Sequence, residues 1–111
     1  MSYLLGIDVG TTSCKVLAAE PNGREWAAAE REYPLREPTP GFRQQDPAEL
    51  YRAVEAALRE VTLTMRTSHP TEAPVALGVS AAMHSLMAVG AAGQPLTPLI
   101  TWADTRAHAY A

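Results

Sequence analysis

A chain of 111 residues, 47% hydrophobic and 19% charged with a formal net charge of −3, has the composition of an ordinary globular domain with a core of its own. The charge balance excludes a basic stripe for nucleic acid, and no apolar run is long enough to suggest a signal peptide or a membrane span. Cys14 is the only cysteine, so no intrachain disulfide can form; a reducing, cytoplasmic setting is expected, with Cys14 as a small strand residue rather than a nucleophile.

From Tyr3 onward apolar residues alternate, which predicts a strand with Leu5, Ile7 and Val9 on one face and Leu4, Gly6 and Asp8 on the other. That strand delivers the Asp8 carboxylate into a turn of Gly10, Thr11, Thr12 and Ser13. Glycine admits an anion close to the main chain, and three hydroxyls and a run of N–H groups can donate to it. Asp8 is a hard oxygen ligand suited to Mg²⁺, and Lys15 adds a point charge. No Gly-Lys-Ser/Thr opens a helix here, so the turn is not a Walker loop, and residues 15 to 19 read as a second strand. Without further support the same stretch reads as a plain hairpin with a solvated aspartate near its tip.

Pro21-Asn22-Gly23 is a turn signal, and Arg24 to Tyr33 supplies a third strand anchored by Trp26, completing a meander over residues 3–33. Residues 34–45 carry Pro34, Pro38, Pro40 and Gly41 and are expected to run as an extended surface loop. Asp46-Pro47-Ala48-Glu49 combines an N-cap, a proline in the first turn and an acid, and opens a helix over 46–66. Leu50, Val54, Leu58, Val61 and Met65 line its inner face, while Arg52, Glu55, Arg59 and Arg66 face away, with Glu55 and Arg59 as an i,i+4 pair. His69 falls in the following loop as an exposed residue. The small apolar run 75–82 predicts a central strand covered on both faces. Meander, helix and strand in that order give an α/β class with a mixed sheet.

Met83, His84 and Ser85 follow this strand directly, on the rim where ligands of open α/β sheets gather. Gly90 to Gly93 marks another turn, and Leu99 to Trp102 another short strand. If that strand continued, Trp102, Asp104 and Arg106 would share a face and offer a stacking plane, an acceptor and a cation to a polyol or sugar acid. The competing reading is a core Trp102 followed by a helix whose first turn carries Asp104.

Four motifs in order, Gly6-Ile7-Asp8-Val9-Gly10-Thr11-Thr12-Ser13, Pro40-Gly41-Phe42 with Gln45-Asp46-Pro47, Ala82-Met83-His84-Ser85, and Ile100-Thr101-Trp102-Ala103-Asp104-Thr105-Arg106, resemble the amino-terminal part of the FGGY carbohydrate kinases. Within that family the chain is most similar to the gluconokinases, with xylulokinases next. The resemblance implies a ribonuclease H-like, actin-like ATPase fold, of which residues 1–111 would form part of the first lobe. It implies ATP and Mg²⁺ as cofactors and a sugar or sugar acid as the small-molecule partner, gluconate being phosphorylated to 6-phosphogluconate. Asp8 then matches the metal-associated carboxylate, Gly10, Thr11, Thr12, Ser13 and Lys15 the phosphate-facing group, and Met83, His84, Trp102, Asp104 and Arg106 the sugar-facing positions within segment 83–111.

The same resemblance places the catalytic base and the adenosine site beyond residue 111, so the 111 residues alone are expected not to turn over. With the rest of the enzyme missing, the apolar edge at 75–82 is expected to drive self-association. Two other classes fit parts of the pattern. A resolvase-like nuclease also starts with a Gly-Ile-Asp-x-Gly strand, but needs more carboxylates and a basic face. A non-catalytic interaction domain would fit if the chain were a whole gene product.

Overall fold

In the computed structural model, which describes residues 2–111, the alternating run forms β1, Ser2–Val9. Tyr3, Leu5 and Ile7 are buried, whereas Leu4 and Asp8 are exposed on the opposite face. The chain turns at Gly10 and returns antiparallel as β2, Ser13–Ala19, with Lys15 opposite Asp8 and Cys14 opposite Val9. The turn at Pro21-Asn22-Gly23 closes through the Gly23 N–H, which donates to the Glu20 carbonyl at 2.9 Å, and Gly23 takes φ +93°, a conformation that glycine adopts without penalty. β3, Glu25–Glu32, then completes the expected meander.

The pairing of β2 with β3 slips between Ala18 and Ala19, leaving Trp26 as the extra residue of a bulge. Its ring stacks on His69, the helix C-cap residue, with centroids 4.1 Å apart and planes 10° from parallel. His69 is thus half-buried against a tryptophan rather than an exposed loop residue; the contact spans more than 40 positions of sequence and has no local signal.

The proline-rich segment is irregular for most of its length, as expected. Its end differs: Gln44–Gln45 form a short strand, β4, because their partner Leu99–Ile100 lies far along the chain. Asp46 caps α1, Pro47–Ser68, by accepting from the Ala48 N–H at 2.9 Å, and the helix runs two residues past the periodic pattern. α1 packs over β2 and β3. Val61 and Met65, each 1% exposed, and Ala57 and Leu50 close on Tyr3, Leu5, Ile7, Val16, Ala18, Ala29 and Tyr33 to form one apolar core. Cys14 lies fully buried in it, and burial pushes its thiol pKa up, which fits a packing residue.

β5, Ala73–Ala81, pairs parallel to β1, and the sheet order is β3-β2-β1-β5. The strand lies close to the expected 75–82 and stands at the open edge of the sheet, as expected of these residues alone. All nine of its residues are exposed, Val75 at 63%, Leu77 at 52% and Val79 at 64%. The small apolar pattern fits double burial, yet α1 sits over the other side of the sheet and leaves β5 uncovered.

Residues 82–111 form little regular structure. Leu86 bridges to Ile100, Val89 to Pro95, and the Gly90 to Gly93 turn closes between them. β6, Leu99–Ile100, pairs antiparallel with β4, and a short 3-10 helix, Arg106–Tyr110, ends the chain. The chain is α/β, with a mixed four-stranded sheet.

Candidate functional site

The parallel strands β1 and β5 end together. Val9 pairs with Ala81, and the Ala82 N–H donates to the Val9 carbonyl at 3.0 Å. The Gly10 to Ser13 turn and the Met83-His84-Ser85 segment therefore leave the sheet from the same rim. A Cβ on Gly10 would sit 3.0 Å from the Ser13 carbonyl oxygen, so the tight turn is built around a missing side chain.

Distant residues hold this turn by its oxygens. The Tyr33 hydroxyl donates to the Gly10 carbonyl at 2.6 Å, the Tyr33 N–H to the Thr12 carbonyl at 3.1 Å, and the Gln45 side-chain amide to the Thr11 carbonyl. The Trp102 indole N–H donates to the Thr11 hydroxyl at 3.0 Å. Burial is the main cause that pushes the Tyr33 phenol up to about 12, so it stays a donor at neutral pH. In contrast, the N–H groups of Thr11 and Thr12 meet no acceptor among the described residues. The turn thus has its carbonyls tied down and its Thr11 and Thr12 N–H groups free, the polarity of an anion-binding site.

Beside the turn, the uncovered face of the sheet carries a polar row across four strands, Glu30, Lys15, Asp8 and Ser80, in register. The next row, Ala28, Leu17, Gly6 and Gly78, is small or apolar. Together they floor an open trough of about 490 Å³ lined by Gly6, Asp8, Lys15, Leu17, Gly78 and Ser80. Asp8 makes no hydrogen bond or ion pair among the described residues, which leaves its carboxylate available to a cation. One free carboxylate beside anion-binding donors fits Mg²⁺, which keeps waters and shares its ligation with phosphate oxygens. Ser13 closes the turn as the first residue of β2, and its hydroxyl donates to Glu30 at 3.0 Å.

The strand expected to carry Trp102, Asp104 and Arg106 on one face ends at Ile100, and the three separate. Trp102, 60% exposed, reaches the turn through Thr11. Asp104 and Arg106 bind each other, with the guanidinium donating to both carboxylate oxygens at 2.8 to 3.0 Å. Arg106 also donates to the Gln44 side-chain carbonyl at 2.8 Å and lies over the Phe42 ring at 3.9 Å. The guanidinium, helped by the N–H groups of Arg43 and Arg106, holds the Asp104 carboxyl well below the usual carboxylate range. The Gly41 carbonyl accepts from the Thr105 N–H at 2.8 Å, so the Pro40-Gly41-Phe42 turn docks directly on this knot. Gly41 has no room for a side chain there, since a Cβ would lie 2.8 Å from Thr105 Oγ1.

Met83 and His84 stand exposed at the rim. His84 alone among the described non-glycine residues has positive φ, +58°, a left-handed conformation that turns the chain sharply after β5. The structure therefore joins Trp102 to the turn and pairs Lys15 with Asp8 across β1 and β2, while Asp104 and Arg106 form a separate knot. Tyr33 and Gln45 are the residues that sequence reading missed. Pairing Ser13 with Glu32 puts position 33 beside Thr12, so the hairpin register could have found Tyr33. Gln45 carries no such signal.

The model for the FGGY family of carbohydrate kinases, N-terminal domain, matches residues 3–111. The chain is 38% identical over 110 residues to a gluconokinase of Bacillus subtilis, covering 99% of this chain and 21% of that protein. It is 32% identical over 103 residues to a xylulose kinase of Staphylococcus epidermidis, covering 93% of this chain and 20% of that one. Among solved structures it superposes on gluconate kinase from Lactobacillus acidophilus with a TM-score of 0.87 at 32% identity, over 98% of this chain and 21% of the other. The chain thus spans about a fifth of the length of the curated relatives it matches.

Proposed function

This chain belongs to the FGGY family of carbohydrate kinases, and we propose that it supplies the phosphate- and sugar-facing wall of an ATP-dependent kinase acting on a sugar or sugar acid, with gluconate, converted to 6-phosphogluconate, as the first substrate to test. The observation that carries the reading is the polarity of the turn: its carbonyls are engaged by Tyr33 and Gln45, and its Thr11 and Thr12 N–H groups are free to meet phosphate oxygens. Lys15 adds positive charge beside them. Asp8 would hold Mg²⁺, which when bound neutralises charge on the phosphates. Met83, His84 and Trp102 face the sugar side of the same rim. We place the catalytic base and the adenosine-binding part in the portion of these kinases that residues 3–111 do not match.

Gluconate rests on the gluconokinase relatives. A neutral sugar, as for a xylulokinase, is favoured by one observation: the Arg106 guanidinium is engaged by Asp104, Gln44 and Phe42, and is not free to pair with a substrate carboxylate. The open β5 edge would bring two copies of the isolated chain together, which light scattering across a concentration series reads; a monomer at every concentration removes that proposal.

The deciding experiment is Asp8→Ala in the full-length enzyme, assayed for ADP release with gluconate, xylulose and glycerol at saturating Mg²⁺ and ATP. Turnover should fall about a hundredfold or more, with far-UV circular dichroism unchanged. Turnover near wild type would sink the metal assignment.

A further inference from the structure

We infer that Trp102 is a positioning residue for the phosphate-facing turn, holding the Thr11 hydroxyl through its indole N–H so that ligands on the sugar side and on the phosphate side sense one another. The inference rests on the proposed reading of Gly10 to Ser13 as the phosphate-facing turn.

An indole N–H can only donate, and a threonine hydroxyl has a single proton. With Trp102 donating to Thr11 Oγ1 at 3.0 Å, that proton must be directed to some other acceptor. The Thr11 carbonyl is likewise occupied, by the Gln45 amide. Both oxygens of Thr11 are therefore held, and what remains to meet a ligand is its N–H and its hydroxyl proton.

The two grips come from one unit. Gln45 belongs to β4, which pairs with β6, and Trp102 follows β6 by two residues. Thr101 between them is buried and fixed to the Arg43 carbonyl twice, by its N–H at 3.0 Å and its hydroxyl at 2.9 Å. Trp102 is not a core residue: 60% of it is exposed, so its ring is open to a ligand while its N–H is committed to Thr11. A sugar that packs on the ring and shifts it changes the bond that aims the Thr11 proton. By linkage, a phosphate that fixes Thr11 changes the ring's affinity for the sugar by the same factor.

The test uses the full-length kinase and MgADP as the probe. Trp102→Phe keeps an aromatic ring and removes the N–H donor together with part of the ring area, and Trp102→Tyr does the same with a hydroxyl placed elsewhere. The KM for ATP, and the Kd for MgADP measured without sugar, should rise about three- to tenfold, the size expected for one lost hydrogen bond. Thr11→Val should weaken MgADP at least as much, Thr11→Ser, which keeps the hydroxyl, should recover most of that loss, and Thr11→Val combined with Trp102→Phe should cost no more than Thr11→Val alone. Sugar should change MgADP affinity in the wild type and not in Trp102→Phe. If Thr11→Val weakens MgADP while Trp102→Phe stays within twofold of wild type, or if the two losses multiply in the double variant, the inference is overturned and the phosphate-facing turn stands. If Thr11→Val binds MgADP normally, the turn reading falls and this inference with it.

Discussion

Residues 2–69 and residues 82–111 are held together by different forces. The first set closes a dry seam, with every buried hydrophobic residue among the described ones lying between Tyr3 and Met65. The second set buries only Thr101 and is fixed by hydrogen bonds, the Asp104 to Arg106 ion pair and the Arg106 to Phe42 contact. Apolar burial is non-directional and supplies most of the stability, whereas hydrogen bonds give little net energy but fix angles. The division therefore places stability in one region and aim in the other. It also leaves the second region with few apolar contacts, the composition of a segment that opens at low cost.

The largest expected effect breaks the first region. Met65→Ala removes a side chain that is 1% exposed, and should cost about 2–5 kcal/mol in urea unfolding. A cost under about 1 kcal/mol would mean that the seam does not carry the fold. Arg106→Ala should instead speed amide exchange across residues 99–106 and raise the sugar KM more than the ATP KM in the full-length enzyme, with a much smaller shift in the urea midpoint. A midpoint falling as far as that of Met65→Ala would erase the division.

Acid sharpens the same comparison. The folded-state pKa of Asp104 is lowered, so its stabilisation is complete above the unfolded value, near 3.9, and is lost as pH falls from there through the folded value. Below about pH 4 the wild type should therefore lose stability more steeply than Asp104→Asn, as read by thermal melts at stepped pH. Parallel slopes would show that the ion pair contributes nothing. The smallest effect is expected of Tyr33→Phe, about 1–2 kcal/mol from the lost bond to the Gly10 carbonyl. Because the Tyr33 pKa is raised to about 12, its contribution is intact below the unfolded value near 10 and is lost as pH rises toward 12. Tyr33→Phe should lack that alkaline slope, and an unchanged slope would assign it to other groups.

The same division decided what could be read from sequence. The strands, the Asp46 cap and the helix face were legible because alternation, helical spacing and capping are local properties that burial then exploits. β5 was legible as a strand and, for these residues alone, as an open apolar edge; what lies over its two faces is not written in its own residue pattern. In the second region the residue types were legible and their partners were not. Trp102, Asp104 and Arg106 share a face only if a strand continues, and the Arg106 to Gln44 and Thr101 to Arg43 bonds end it at Ile100. Gln45 reaches Thr11 across 34 positions, a pairing that no local pattern encodes.

The chain has two tryptophans, and the fold gives each a separate optical duty. Trp26, half-buried and stacked on His69, joins β3 to the end of α1, so its emission follows unfolding of the apolar seam. Trp102 emits from an exposed ring tethered to Thr11, so its colour and its accessibility to a soluble quencher follow occupation of the rim. With Trp26 replaced by phenylalanine, the remaining signal would report, without a label, the binding proposed for this rim. With Trp102 replaced instead, the other becomes a thermometer of the fold.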